Sequence, residues 1–405
     1  MRFLLIGLAG ILSGAVQPAA GEPSTSLETR PRNAAALEPA FKEQTRAPEM
    51  RAGMRFETEQ VVTGLNKPWG MTFLPDGRLL ITERTTLRII TSEGEVSAPV
   101  QGVPAVDIGD QGGVHDVVLD PDYAVNGLIY FTFSQPGEPP LTGSAVARAR
   151  LSEDGDAPSL QDLTIIFSQQ PKLDSRQHYG GRLAFDRQGR LYVTTGERYV
   201  PEGRPQAQQL DSLLGKVVRI DRDGGVPPDN PFVGVAGARP EIWSYGHRNV
   251  QGAAIHPVTG RLWTNEHGPR GGDELNIPES GGNYGWPVVT YGIEYTGETI
   301  GAGITQAEGM LQPIYYWDPV IAPSGMAFYD SDAAPAWKGS LFIAGLAGRH
   351  LARLTLDGDR VVGEERLLTE RKQRLRDVEV GPDGALWVLT EGASDASLLK
   401  LTPIP

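Results

Sequence analysis

GRLYVTTGE, residues 189–197, sets a glycine before a short apolar run and ends on a carboxylate. The run is rich in β-branched and aromatic types and too short for a stable helix, so it reads as a strand. Gly189 closes the turn DRQG (186–189) behind another apolar run, GGRLAF (180–185), and the two runs predict a hairpin. The same design recurs as GRLLIT from Gly77, GLIYFTF from Gly127, GRLWTNEHG from Gly260, GSLFIAGL from Gly339 and GALWVLTEG from Gly384. Successive glycines lie 50, 62, 71, 79 and 45 residues apart. A four-stranded propeller blade takes about 40–50 residues, so the longer intervals hold inserted loops. Six units predict an all-β fold, a six-bladed β-propeller with four-stranded antiparallel blades. A pair of β-sandwiches would not explain one hairpin repeated six times. Chemistry is then expected at one end of the central channel, where strand ends and insertions meet.

The bulk composition narrows the setting. The 405 residues include 50 Gly and 32 Pro, which favours turns over long helices. A net charge of −13 argues against nucleic acid and anionic membrane as partners. The absence of cysteine removes disulfides, thiolate metal sites and haem attachment. MRFLLIGLAGILSGAVQPAA (1–20) has one positive charge, a short apolar run and small residues, the pattern of a cleaved signal peptide. The mature chain is therefore expected to be periplasmic or secreted, with no membrane insertion. Residues 21–53 lack sustained periodicity and read as a flexible leader; residues 54–405 form the catalytic propeller.

Four polar constellations fall near strand ends. GDQGGVHD places Gln111 and His115 before an alternating strand. SRQHYGG sets His178 at a strand start, and Glu197 follows at the end of the next strand, where one hairpin can join carboxylate to imidazole. Such a pair suits a general base. SYGHRNVQG offers Arg248 and Asn249 as planar donors. In KQRLRDVEV, Arg374 and Arg376 alternate on one face, and two like charges there call for an anion between them. Together with Arg248 they suggest an anionic, flat ligand. Neither a GxGxxG after a strand nor a P-loop occurs, so nucleotide cofactors lack their usual cradle.

QGG with its following PDY, QHYGGRLAF, GHRN-QG, EHGPRGGDE with NYGWP, APSGMAFY and RLRDVEVGPDG occur in one order from about Gln60 to the C-terminus. In this the chain resembles the soluble quinoprotein sugar dehydrogenases: glucose/sorbosone dehydrogenases, and the aldose sugar dehydrogenase branch in particular. The resemblance implies a six-bladed propeller holding pyrroloquinoline quinone (PQQ) and Ca²⁺, and oxidation of the C1 hydroxyl of an aldose sugar to an aldonolactone. An external electron acceptor, a quinone or redox protein, would reoxidise the cofactor. By the same resemblance His178 is the catalytic base with Glu197 as its partner, and Arg248 stabilises developing charge. Gln111, His178, Arg248, Asn249, Arg374 and Arg376 would contact the cofactor. Three departures stand out: Glu197 where glucose dehydrogenases tend to have Asp, Ala347 with Arg349 nearby in place of a cofactor-facing Lys, and Val250 after GHRN instead of Pro. Two competing readings are a calcium-dependent lactonase or esterase, and a non-catalytic periplasmic binding propeller.

EHGPRGGDELNI (266–277) looks at first like a side-chain metal motif. Zinc wants rigid His/carboxylate geometry, which Pro269 and Gly271-Gly272 oppose. Calcium takes oxygens, backbone carbonyls included, from a bent loop. The resemblance assigns the Gly268 and Pro269 carbonyls to a cofactor-bound calcium, and Glu274 with Tyr284 to a structural one.

Overall fold

The structure, a computed structural model, describes residues 26–404; the expected signal peptide lies outside them. Twenty-three strands form six antiparallel sheets. β1 (Arg55–Leu65) comes first in the chain but belongs to the last blade. The first blade holds β2 (Met71–Phe73), β3 (Leu79–Glu83) and β4 (Thr86–Ile90), its fourth position reduced to an isolated Ile90–Val96 bridge. The second holds β5 (Val114–Leu119), β6 (Leu128–Pro136), β7 (Thr142–Ser152) and β8 (Ser159–Ser168). The third holds β9 (Gly180–Phe185), β10 (Leu191–Thr195), β11 (Lys216–Ile220) and β12 (Ile242–Tyr245). The fourth holds β13 (Val250–Ile255), β14 (Leu262–Glu266), β15 (Asp273–Asn276) and β16 (Tyr315–Trp317). The fifth holds β17 (Pro323–Phe328), β18 (Leu341–Gly345), β19 (Leu351–Asp357) and β20 (Arg360–Leu367). The sixth joins β21 (Leu375–Val380), β22 (Leu386–Thr390) and β23 (Ala396–Ile404) to β1, which runs antiparallel to β23 from Arg55–Ile404 to Leu65–Ala396. The molecule is a six-bladed β-propeller closed by its N-terminal strand.

The repeated glycines do one job six times. Gly77, Gly127, Gly189, Gly260, Gly339 and Gly384 all have φ between 64° and 87°. Any other residue would carry a Cβ into the left-handed region there. The turn is closed by the same bond in every blade, for example Leu74 N–H to Arg78 O (2.7 Å), Asp186 to Arg190 (2.9 Å) and Gly381 to Ala385 (2.8 Å). The first strands of the blades, β2, β5, β9, β13, β17 and β21, contact one another in a ring around the channel.

The core sits between blades. Leu183, Val193 and Val218 of the third blade pack on Tyr130 and Val146 of the second, and Phe342 and Leu351 of the fifth pack on Leu386 and Leu399 of the sixth. Inside the ring, the Arg182 guanidinium of β9 bridges Asp116 of β5 and Asp377 of β21, each at 3.1 Å, and lies over the Trp69 ring at 4.2 Å. All three charged side chains are buried. Leaving one partner of such a group alone costs about 3–5 kcal/mol, so this cluster ties three blades at the axis.

The expectation of a flexible leader is corrected for residues 26–53. Thr45 bridges Tyr316 of β16, and Glu49 bridges Glu364 of β20, both in parallel pairing. The Asp318 carboxylate accepts the N–H groups of Asn33 (2.8 Å) and Ala34 (3.0 Å), and Ala34, Gln44 and Ala47 are buried. This strap makes no core of its own, which is why its composition looked unstructured. It covers the open outer edges of two blades, whose unpaired backbone groups supply its partners. No helix among the described residues is long and apolar enough to cross a membrane.

Candidate active site

Within each blade the first strand runs away from one end of the channel and the second strand returns to it. Residues entering the first strand and residues ending the second therefore share a face. At the end of four second strands, or one to two residues past it, a glutamate grips its own blade's entry segment. Glu83 accepts the Asn66 N–H at 2.7 Å. Glu266 meets His247 Nδ1 at 2.8 Å and accepts the Arg248 N–H at 2.6 Å. Glu391 bonds both Arg374 and Arg376. Glu197 meets Nδ1 of His178 at 2.6 Å.

The last of these is the hairpin pair expected from sequence, and its surroundings hold it fixed. His178 adopts φ 47°, and its N–H donates to the Gln111 side-chain oxygen at 2.9 Å. Arg198 pins the preceding loop through Gln177 O (2.9 Å) and Ser175 O (2.5 Å), with its guanidinium 3.8 Å above the Tyr179 ring. Gly196 makes the approach possible, since a Cβ there would lie 2.0 Å from the His178 carbonyl oxygen. Both side chains of the pair are buried. Burial, then the charges of Arg248, Arg198 and Arg204, holds the His178 imidazole well below its ordinary pKa. Burial also raises Glu197 to about 7, against the opposing pull of Arg248 and Arg204. With Glu197 ionised, Nδ1–H donates to the carboxylate and Nε2, which has no hydrogen-bond partner within the described chain, is left as a base.

Beside this pair opens a cavity of about 390 Å³, lined by Gln111, Asn249, Arg374 and Arg376 among the expected residues. Trp69, Gln251 and Glu391 are also among its walls. His178 and Arg248 flank the cavity; their neighbours Tyr179, Gly180 and Asn249 form its lining. Asn249 is buried, its side-chain oxygen taking the Gly180 N–H at 3.1 Å. Neither Ala347 nor Arg349 reaches the cavity, which Leu346 borders instead. Val250 opens β13 and is fully buried.

The negative charge expected between Arg374 and Arg376 has a source within the chain. Glu391 supplies that charge: burial alone would raise its pKa, but Arg376 and Arg374 hold it down at about 2.

The 266–277 loop is built mainly by hydrogen bonds. Asp273 accepts the N–H groups of Gly268 (2.8 Å), Ile321 (2.8 Å) and Ala322 (2.6 Å), tying the loop to the fifth blade. The carbonyls of His267 and Gly268 receive Arg248 Nη1 at 3.0 and 2.7 Å. A carbonyl oxygen has two lone pairs, so Gly268 keeps one free. Burial, then the positive charge of Arg376, pushes His267 down to about 3; its Nε2 donates to Pro323 O at 2.8 Å. Glu274 and Glu266 share the Asn276 side-chain amide, at 3.1 and 3.0 Å. Burial and the neighbouring Glu266 charge raise Glu274 well above the carboxylate range. The Tyr284 hydroxyl is occupied by Ile277 O at 2.5 Å, so only its backbone is free to serve a cation. Among the described residues no three His or carboxylate side chains gather as a metal cluster.

A glucose/sorbosone dehydrogenase profile matches residues 65–400. The aldose sugar dehydrogenase YliI of Escherichia coli (strain K12) is 46% identical over 342 residues, covering 84% of this chain and 91% of that protein. The chain belongs to the glucose/sorbosone dehydrogenase family. A solved glucose dehydrogenase superposes with a TM-score of 0.81 at 51% identity, over 85% of this chain and 99% of that one. The PQQ-bound aldose sugar dehydrogenase from Streptomyces coelicolor does so with a TM-score of 0.71 at 31% identity, over 87% and 99%. These relatives are named as sugar dehydrogenases, and the Streptomyces coelicolor structure is described as PQQ-bound. Glu391, Gln251, Trp69 and Arg198 had not been singled out from sequence. For Glu391 a signal existed: TEG at the end of GALWVLTEG repeats the strand-end carboxylate of TTGE.

Proposed function

We propose that this chain oxidises the C1 hydroxyl of aldose sugars to aldonolactones, using PQQ with Ca²⁺, and passes the electrons to a separate acceptor outside the cytoplasm. The observation that carries the reading is the fixed His178–Glu197 pair at the edge of a cavity bordered by Arg374, Arg376, Asn249 and Gln111.

The residues present fit a flat, carboxylated cofactor. The cavity combines guanidinium and amide donors with the Trp69 ring, and Arg248 Nε and Arg376 Nε are buried without a partner. Oxygen ligands for calcium are available at Gly268 O and at the Glu274 carboxylate, whose raised pKa a divalent cation would relieve. Arg374, Arg376, Asn249 and Gln111 would hold the cofactor, and the Gly268–Pro269 turn its calcium. When bound, the quinone accepts the hydride from C1 and calcium polarises its oxygens.

The chain's own part is proton transfer and placement. His178 Nε2 takes the C1 hydroxyl proton as the C1–H bond breaks and the C1–O bond becomes a carbonyl. Glu197 holds the tautomer and stabilises the imidazolium that forms. Arg248, fixed by the His267 and Gly268 carbonyls, contributes positive charge beside the reacting centre. The test is reconstitution: apoprotein with PQQ and Ca²⁺ should reduce an artificial acceptor dye when given an aldose. Failure with every aldose, together with no quinone absorbance retained on gel filtration, would rule the proposal out.

A further inference from the structure

Arg374 and Arg376 are already paired without any ligand. Glu391 Oε2 takes Arg374 Nε, and Oε1 takes Arg376 Nη2. Arg376 uses its other terminal nitrogen on Gln251 Oε1 (3.1 Å) and Ser324 Oγ (3.3 Å), while its Nε is buried and unpartnered. Three of its five N–H groups are thus engaged within the chain, leaving Nε–H and one Nη2 hydrogen. Arg374 differs: its side chain is 45% exposed, and its two terminal nitrogens make no bond within the described chain. Of the four strand-end glutamates, Glu391 alone lines the cavity. It sits where a ligand carboxylate would meet both guanidiniums, placed there by the same strand-end geometry that places Glu83, Glu197 and Glu266.

We propose that Glu391 is a built-in stand-in anion that closes the arginine pair to simple anions and yields only to a ligand whose carboxylates come attached to a flat, separately anchored body. The proposal rests on reading the cavity as the site of a carboxylated cofactor. A guanidinium pair without a counter-ion would take up whatever small anion surrounds it. A single sulfate gains only what it takes from Glu391, whereas a larger ligand adds contacts to Asn249, Gln111 and the Trp69 ring. Glu391 thus sets specificity and takes no part in proton or hydride transfer.

The test uses the apoprotein and two probes, sulfate and citrate, against chloride of matched ionic strength. The thermal midpoint of the wild type should be indifferent to the choice of anion. Glu391→Gln should acquire a saturable stabilisation by sulfate and citrate, with half-saturation at least tenfold lower than any effect on the wild type. Glu391→Asp, which keeps the charge, should stay close to the wild type, and adding Arg374→Gln to Glu391→Gln should abolish the gain. Equal responses of wild type and Glu391→Gln, whether both stabilised or neither, would overturn the proposal. PQQ titrated into the same proteins, followed by fluorescence quenching, tests the cofactor reading separately, because the sulfate result does not depend on it.

Discussion

Nδ1 of His178 lies 2.6 Å from Oε1 of Glu197, across a hairpin whose Gly196 leaves no room for a Cβ. One proton serves this contact, and its position decides which ring nitrogen is the base. Below about pH 7 the raised Glu197 carboxyl is protonated and donates to Nδ1, which puts the ring hydrogen on Nε2 and silences it. Above that pH the carboxylate accepts Nδ1–H and Nε2 is free. The kcat of the reconstituted enzyme should therefore rise with pH through about 7. Glu197→Gln should flatten that limb, and an unchanged limb in the variant would assign it to another group.

Removing the imidazole separates chemistry from binding. His178→Ala is expected to lose about 10²–10⁴-fold in kcat, the usual contribution of a positioned base. PQQ retention on gel filtration should persist, because the arginine and amide donors of the cavity remain. A variant with near wild-type turnover would show that the proton leaves by another route.

Gly196→Ala tests the close approach itself. The added methyl would have to displace the His178 carbonyl, so the base should shift and kcat fall. Overpacking of this kind costs about 1–3 kcal/mol of stability. The informative readout is kcat against thermal midpoint: equal loss from Ala substitution at an exposed turn elsewhere would remove the specific argument.

Arg182→Leu should be among the most damaging changes away from the cavity. It leaves Asp116 and Asp377 buried without their cation, next to Glu379, at a cost of about 3–5 kcal/mol. Chemical denaturation should show the loss directly, and a variant as stable as the wild type would show that water or protons satisfy the cluster.

Calcium is expected to matter twice. A chelator should lower the thermal midpoint through the Glu274 site and abolish dye reduction through the Gly268 turn, and added Ca²⁺ should restore both. Glu274→Gln should remove the chelator's effect on the midpoint while leaving its effect on turnover. If the chelator changes neither quantity, both calcium assignments fail.

The repeat was legible because one backbone requirement, a left-handed glycine closing a hairpin, writes the same letter six times. His178 and Glu197 were legible for a related reason: one precedes the first strand of a hairpin and the other follows the second, so their spacing carries their proximity. The Arg182 cluster was not legible, since its partners are 66 and 195 residues away in other blades. The strap over residues 26–53 was hidden because its hydrogen-bonding groups match edges elsewhere in the chain, which no local composition records. Glu391 was the subtler loss. The arginines announced an anion, but nothing in KQRLRDVEV says that the anion comes from the end of the next strand.

The pairing of β1 with β23 joins residues about 350 positions apart. Loop-closure entropy grows only logarithmically, so this seam costs about 2 kcal/mol more than closing a single blade of about 50 residues. In exchange every blade acquires two neighbours and none is terminal. A ring fastened in this way has no end from which to fray, so the geometry of the channel mouth depends on the whole circumference rather than on the blades that carry the chemistry.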